Sequence, residues 1–154
     1  MTDARLEDVR NFREVDGRLA TCGQPTEAQL EAARSAGVEV VINLALHDDP
    51  RYSLPDERGT VEALGMTYRH IPVQFGGPTA SDLLAFFDAM DAAQGQRVLV
   101  HCAANYRVTA FLGLYRRLRQ GWPVDQAFEL MRTLWTPDKV WAEFIESTLA
   151  KHGG

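Results

Sequence analysis

One short apolar run, followed closely by an amphipathic repeat, restricts the fold of this chain more than any other feature. Residues 98–100 read Val-Leu-Val without a polar interruption, as is typical of a strand covered on both faces. Beyond a six-residue loop, apolar residues recur with helical spacing at Val108, Phe111, Leu112, Tyr115 and Leu118. A buried strand that leads directly into a one-faced helix is typical of a parallel α/β sheet.

The same alternation of strands and helices extends along the sequence. Residues 12–20 are predicted to form a strand or a short hairpin about the Asp16-Gly17 turn, with further strands over residues 38–44 and 66–73. Helices are predicted from the capping box of Thr26 and Gln29 to residue 36, between residues 55 and 65, from Thr79 or Ser81 onward, and over residues 125–134 and 138–150. We therefore expect one α/β domain over residues 1–154, in which a mostly parallel sheet carries helices on both faces. Such sheets bind ligands beyond the carboxyl ends of their strands, which directs attention to the segment after His101.

Charge and composition exclude several classes of function. The 154 residues include 16 basic and 21 acidic side chains, for a net charge of −5, and the basic residues form no long run. A nucleic-acid partner is therefore not expected. The sequence contains neither a secretory signal nor an apolar stretch of membrane-spanning length, so we expect a cytoplasmic protein without a membrane partner. The spacing of the histidines predicts no metal site, and no cofactor is expected.

The loop after the buried strand places a cysteine and an arginine at the start of a helix. Cys102 leaves the strand, Arg107 opens the helix five positions later, and no acidic residue lies between them. The first amides of a helix have no internal partners, so they converge on an anion and favour a thiolate. Arg107 adds a planar fork that can hold two phosphate oxygens, and Asn105 tolerates a left-handed conformation in mid-loop. The pattern predicts a phosphate-binding site with a reactive cysteine.

This segment resembles the signature of the protein tyrosine and dual-specificity phosphatases, which is His-Cys, five residues, Arg, then Ser or Thr. Residues 41–44, 68–73 and 98–102 are similar to successive core strands of that superfamily, so the resemblance covers roughly residues 18–146. The chain is most similar to a bacterial branch of small, nonclassical, dual-specificity-like phosphatases that carry His-Cys-Ala-Ala-Asn-Tyr-Arg. Here the arginine follows the cysteine by five positions rather than six, while Thr109 keeps the hydroxyl position of the signature.

The resemblance implies a phosphomonoester hydrolase that works through a phosphocysteine. Cys102 would be the nucleophile, and Arg107 with the loop amides would stabilise the transferring phosphoryl group. His101 would hold the loop and help form the thiolate, and Thr109 would assist thiolate release. The predicted phosphate-binding loop comprises His101, Ala103, Ala104, Asn105, Tyr106 and Thr109. The partner would be a phosphorylated protein or small molecule, and phosphate- or sulfate-like anions would occupy the loop.

The general acid is the one part of this machinery that the sequence leaves open. Related phosphatases carry an aspartate after the strand that corresponds to residues 70–73, but residues 74–77 contain no carboxylate. Asp82 follows that strand and is the preferred candidate. The alternatives in nearby loops are Asp48, Asp49 and Asp56. An acidic residue in the first turn of a helix also complements the helix dipole, which gives Asp82 a purely structural explanation.

Two other functions are compatible with the sequence. The shorter loop and the missing acid would also suit a phosphate- or phosphoprotein-binding module of the same fold without turnover. A rhodanese-like sulfurtransferase likewise carries a cysteine five positions before an arginine, although the loop here lacks a glycine. Cys22 is predicted to be a structural turn residue, with a role as resolving thiol for Cys102 as the alternative.

Overall fold

A five-stranded sheet with the strand order β1-β2-β5-β3-β4 forms the centre of the molecule. The computed structural model describes residues 4–152. Its strands are β1 (Arg13–Glu14), β2 (Leu19–Cys22), β3 (Val40–Asn43), β4 (Thr67–His70) and β5 (Val98–His101). β1 runs antiparallel to β2 across the predicted hairpin, and the other pairs are parallel. The predicted α/β fold with a mostly parallel sheet is therefore confirmed.

Helices follow most of the strands, and their starts agree with the caps in the sequence. They are α1 (Glu27–Ser35), α2 (Glu57–Ala63), α3 (Ala80–Ala92), α4 (Tyr106–Leu118), α5 (Val124–Ala127), α6 (Glu129–Leu134) and α7 (Lys139–Lys151). Thr26 and Gln29 form the predicted capping box of α1, and Thr79 and Asp82 form a second one at α3. Each box satisfies two backbone amides that a helix end would otherwise leave without partners. None of the described helices is long and apolar enough to cross a membrane.

Both faces of the sheet are covered, as the uninterrupted apolar strands require. Val41 and Leu99 face a cluster with residues of α1 and α2, including Leu30 and Val61. The strand residues next to them point the other way, because side chains alternate along a strand. That opposite cluster contains Val40, Ile42, Val98, Val100, Phe86, Phe111 and Trp141, from the strands and from α3, α4 and α7.

Two predicted elements differ from those observed. The helix predicted over residues 125–134 is interrupted at Phe128, which ends α5 and precedes α6. The Phe128 ring packs against Gly113 of α4 so closely that a Cβ atom there would lie 2.3 Å from it, and only glycine fits at that position. The strand predicted over residues 66–73 is regular only in β4, although Ile71 and Val73 still donate backbone hydrogen bonds to the segment after β3.

The parallel strands end at one edge of the sheet and gather four chain segments there. Cys22 pairs with His101 in the register of β2 and β5, and Asn43 pairs with both His101 and His70. Strands that end together bring the loops after them together, and this is where such sheets bind ligands. The loop that begins with Cys102 lies in the middle of that row.

Candidate active site

The loop from Cys102 to Asn105 joins the end of β5 to the first turn of α4. Cys102 is buried, with 1% of its surface exposed, and Asn105 precedes the helix with φ +71°. This value confirms that the chain turns through the left-handed region at Asn105, which asparagine tolerates better than most residues. The turn directs the first amides of α4 back toward Cys102, because a helix start presents its free N–H groups along its axis.

An amino-terminal segment, residues 10–24, holds this loop from behind. The Gln24 amide donates to the Ala103 carbonyl at 3.1 Å, and the Asn11 side chain donates to the Ala104 carbonyl at 2.9 Å. Gly23 lies between these contacts, where a Cβ atom would approach the Ala103 oxygen to 2.5 Å. The close approach therefore requires glycine at this position, and the loop carbonyls are all engaged on one side.

The engaged carbonyls orient the amides that follow them. The Cys102 carbonyl accepts from His101 Nδ1 at 3.2 Å, and the Ala103 carbonyl accepts from Gln24. Because a trans peptide points its N–H opposite to its C=O, the amides of Ala103 and Ala104 face away from these partners. Within residues 4–152, the amides of Tyr106, Arg107 and Val108 donate to no protein acceptor. The loop and the helix start therefore offer a set of free donors to an anion.

The Asn105 side chain holds the turn in place through hydrogen bonds, and its removal is expected to destabilise the protein. Its Nδ2 donates to the Asn11 carbonyl and to the Thr21 hydroxyl, each at 2.9 Å. Asn105→Ala should lower the free energy of unfolding by about 3 kcal/mol, from two buried hydrogen bonds and left-handed strain. Asn105→Gly should recover about 1 kcal/mol of that loss, because glycine removes only the strain. Urea unfolding of the wild type, Asn105→Ala and Asn105→Gly measures the contributions of the hydrogen bonds and of the backbone strain. If both variants lost the same free energy of unfolding, the strain contribution would be contradicted.

Arg107 lies at the base of the site and is only 5% exposed. One guanidinium nitrogen, Nη1, donates to the Val73 carbonyl at 2.7 Å, and the guanidinium carbon lies 5.9 Å from the centre of the Phe75 ring. These contacts fix the planar group and leave further N–H donors for an anion. The segment after β4 thereby positions the arginine that the sequence placed at the helix start.

His101 is buried behind the loop in an ion pair that the sequence did not predict. Its Nε2 lies 2.5 Å from a carboxylate oxygen of Glu57, which begins α2, and its Nδ1 faces the Cys102 carbonyl. Gln24 donates to the other Glu57 oxygen at 2.8 Å. Burial opposes ionisation of Glu57, but His101, Gln24 and His47 outweigh it and hold the pKa of Glu57 below its usual value. Nε2 of the His101 ring faces Glu57 and Nδ1 faces the Cys102 carbonyl, so these two contacts fix the ring behind the reactive loop.

Cys22 and Cys102 occupy different environments, although both are buried free thiols. Cys22 packs in the core cluster with α1 and α2, whereas Cys102 lines a cavity at the surface. Burial, followed by the neighbouring Cys102 and Glu57, raises the pKa of the Cys22 thiol well above its usual value. Cys22 is thereby held as a neutral thiol and serves as a core residue.

The cavity in front of Cys102 has a volume of about 480 Å³. Its lining combines cations with flat apolar walls and one carboxylate: Arg10, Leu46, Asp49, Arg51, Tyr52, Gln74, Phe75, Gly76, Cys102, Ala103, Ala104, Tyr106 and Arg107. Tyr106 stacks on Trp135 with ring centres 4.9 Å apart, and Trp141 donates to the Phe75 carbonyl at 2.7 Å. These contacts hold the aromatic walls in place around the predicted phosphate site.

Asp49 is the carboxylate of this cavity, and Arg51 binds it in a bidentate pair. Arg51 Nε and Nη2 donate to the two Asp49 oxygens at 3.0 and 2.6 Å. Side-chain and backbone hydrogen bonds from Arg51 lower the pKa of Asp49 to about 2. The group is therefore a carboxylate at neutral pH. Asp49 was one of the alternatives to Asp82 as the general acid, and nothing in the neighbouring sequence distinguished it from Asp48.

Four predicted site residues are not part of the cavity lining: His101 and Asn105, whose contacts are given above, and Asp82 and Thr109. Asp82 caps α3 through Thr79, and among the described residues it is not part of the cavity lining, so its position gives the predicted acid role no support. The Thr109 hydroxyl donates to the Tyr106 carbonyl at 3.0 Å and accepts from Trp135 Nε1 at 3.1 Å. In the described structure it makes no hydrogen bond to Cys102. Residues 4–152 contain no group of histidine, cysteine and carboxylate side chains arranged to hold a metal ion.

The sequence matches one family model over most of its length. The phosphatase-like domain of the beta-lactamase hydrolase-like proteins matches residues 11–118, which include residues 11–24 of the amino-terminal segment, the loop and α4. A protein from Shewanella putrefaciens CN-32 that is assigned as a phosphatase is 36% identical, with a TM-score of 0.84, and the match covers 97% of each chain. No curated protein matches this chain.

More distant structures show the same fold. TpbA of P. aeruginosa, solved in complex with phosphotyrosine, is 21% identical with a TM-score of 0.64, over 79% of this chain and 72% of that one. The catalytic domain of the PP-IP phosphatase SIW14 from S. cerevisiae, solved with citrate, is 16% identical with a TM-score of 0.71, over 94% of each chain. The fold is thus that of the tyrosine and dual-specificity phosphatases, as the sequence predicted.

Proposed function

The chain belongs to the family of the phosphatase-like domain of beta-lactamase hydrolase-like proteins, and we propose that it hydrolyses phosphate monoesters through a phosphocysteine at Cys102. One arrangement carries the proposal. Cys102 lies in a cavity with Arg107 and with the free amides at the start of α4, so a thiol faces a ready-made anion site. The buried His101–Glu57 pair fixes the His101 ring against the Cys102 carbonyl and so supports the loop from behind.

The reaction proceeds in two displacements at phosphorus. The Cys102 thiolate attacks, the P–O bond to the leaving group breaks, and the oxygen departs with its electron pair. Arg107 and the amides of residues 103–108 bind the three equatorial oxygens, on which negative charge is spread in the transition state. Water then attacks the phosphocysteine, the P–S bond breaks, and inorganic phosphate leaves with the thiolate restored.

Asp49 determines which leaving groups suit this site. As a carboxylate held by Arg51, it cannot supply a proton to a departing alkoxide, and the same lowered pKa makes it a weak base for the water of the second step. We therefore expect good leaving groups such as p-nitrophenolate to react readily. Alkyl phosphates, which need a general acid, should react about 10²- to 10⁴-fold more slowly.

Arg107→Lys should lower kcat/KM for p-nitrophenyl phosphate by about 10²- to 10³-fold, the typical cost of losing an oxyanion donor. Lysine can still donate one hydrogen bond to the Val73 carbonyl, but it has no planar fork for two phosphate oxygens. Steady-state kinetics measure the change, with Arg69→Lys in the outermost strand β4, outside the cavity lining, as the matched control. A loss below tenfold for Arg107→Lys would contradict the proposed role.

Steady turnover of p-nitrophenyl phosphate between about pH 5 and 8, together with a trapped intermediate, tests the function itself. Rapid mixing with substrate followed by denaturing quench should give a peptide containing Cys102 whose mass is increased by one phosphoryl group. Phosphate release without that adduct would replace the phosphocysteine by direct attack of water. No release at all would overturn the proposal.

Phosphate binding without turnover is the second candidate. Two observations favour it: Asp49, the carboxylate of the cavity, is held ionised, and the Thr109 hydroxyl makes its hydrogen bonds to Tyr106 and Trp135 rather than to Cys102. In that case the loop should bind inorganic phosphate while p-nitrophenyl phosphate stays intact. No observation favours a sulfurtransferase, and a negative assay with thiosulfate and cyanide would dispose of it. A reducing compartment such as the cytoplasm suits either candidate, since both thiols are free.

A further inference from the structure

Arg10 lies at the cavity of Cys102 and has no part in the two displacements. Its side chain is exposed where it lines the cavity, whereas Arg107 at the base is almost fully buried. Within the described part of the chain, the Arg10 guanidinium makes no ion pair and no hydrogen bond with the protein. The cavity therefore presents one cation at its base and an unpaired one at its rim.

The other exposed arginine of the cavity is already engaged. Arg51 binds both oxygens of Asp49, so the charges of these two lining residues offset each other. An anion that approached Arg51 would displace a bidentate partner, whereas an anion at Arg10 would displace only water. Arg10 is thus the cation of the rim that is available to a ligand.

The backbone of Arg10 is fixed relative to the phosphate-binding loop. Its carbonyl accepts from the Gly23 amide at 2.7 Å, and the next residue, Asn11, exchanges side-chain hydrogen bonds with Ala104 and Asn105. Asn11 also adopts φ +54°, a left-handed conformation that these contacts maintain. The position of Arg10 is therefore set by the same bonds that shape the loop, which lowers the cost of ordering it on a ligand.

We propose that Arg10 binds a second anionic group of the substrate, so that the site selects phosphate monoesters that carry another carboxylate or phosphate near the scissile phosphate. The inference rests on the proposed function, because it places the scissile phosphate at Cys102 and Arg107. The apolar walls formed by Tyr52, Phe75 and Tyr106 accept an aryl ring between the two anions. Substituted phenyl phosphates are therefore suitable probes.

Binding to the Cys102→Ser protein tests the inference without requiring turnover. The probes are phenyl phosphates with a carboxylate at the 3- or 4-position and their carboxamide counterparts, which have the same shape without the charge. Calorimetry should give a Kd about 3- to 10-fold lower for the carboxylate of at least one isomer, as for a partly exposed ion pair. The preference should decrease as salt is added. Phenylene bisphosphate, compared in the same way, shows whether phosphate or carboxylate is the better second anion.

Arg10→Gln in the same background should bring the ratio of carboxylate to carboxamide affinity to about 1. Arg69→Gln, which removes an exposed arginine of β4 outside this cavity, should leave the ratio unchanged. If Arg10→Gln weakened both probes equally, the residue would act only through the general potential of the cavity, and the inference would be overturned. A ratio near 1 before any change at Arg10 would overturn it as well. Wild-type turnover of phenyl phosphate reports separately on the proposed function, so the two failures are distinguishable.

Discussion

Cys102→Ser is expected to lower the turnover of p-nitrophenyl phosphate by at least about 10⁴-fold, because a serine hydroxyl without an adjacent base is a weak nucleophile. The substitution changes one atom and leaves the loop amides and Arg107 in place. Phosphate should therefore still bind, with a Kd that isothermal calorimetry can compare with that of the wild type. A protein that binds phosphate but does not turn over separates the nucleophile from the anion site.

Cys22→Ala provides the matched control for the second thiol. Cys22 is buried among core residues and its thiol is held neutral, so its loss should change kcat by less than about threefold while costing some stability. If turnover persisted in Cys102→Ser and disappeared in Cys22→Ala, the nucleophile would be Cys22 and the assignment to Cys102 would be wrong.

Glu57→Ala is expected to lower the free energy of unfolding by about 3–5 kcal/mol, the typical cost of leaving one member of a buried ion pair without its partner. The side chains of His101 and Glu57 are 0% and 2% exposed, so water cannot replace the lost carboxylate. Glu62→Ala in the same helix is the control. Glu62 is more than half exposed and pairs with Arg58 at 3.6 Å, so its loss should change stability by less than about 1 kcal/mol.

The contribution of Glu57 should also depend on pH in a defined direction. The folded protein holds the pKa of Glu57 below the ordinary value of 4.5, so its stabilising effect is present above that value. It is lost as pH falls further and the carboxylate takes up a proton. Urea unfolding at pH 7 and at successive values below 4.5 should show the difference between wild type and Glu57→Gln shrinking with acid. A difference that stayed constant would exclude ionised Glu57 as its source.

The parts of the site that follow from sequence are those fixed by neighbours along the chain. Residues 98–118 contain a buried strand, a turn residue and a helix in succession, and the structure reproduces these elements. The prediction of a single buried face was wrong, because residues 107–115 of α4 are all buried, with other elements packed around the helix. The capping box at Thr26 has an equally local cause. The left-handed turn at Asn105 follows from the tolerance of asparagine for that conformation, although its hydrogen bonds to Asn11 and Thr21 come from distant segments. Strand–loop–helix units are predictable because their energetics depend mainly on residues within a few positions.

The features that the sequence did not predict depend on contacts between segments that are distant along the chain. Glu57 and His101 are 44 positions apart, and Glu57 on its own is an ordinary acidic residue at a helix start. Arg10 and Asn11 lie in a segment whose composition gave no sign that it borders a phosphate site. The close packing of the Phe128 ring on Gly113 likewise joins two different helices. Sheet order and packing decide these contacts, and a single sequence does not reveal them.

The hydrogen bonds between Asn11 and the loop after β5 link residues 93 and 94 positions apart, and so connect the anion site to the folding of the chain. Contacts of such sequence separation form late, because the intervening chain must lose its freedom before they stabilise anything. A partly folded chain would therefore carry the thiol of Cys102 without the surrounding donors. Phosphate can bind only after the closing contacts form, and at 100 times its Kd it should stabilise the native state by about 2.7 kcal/mol. The ligand thus acts as a reporter of complete folding.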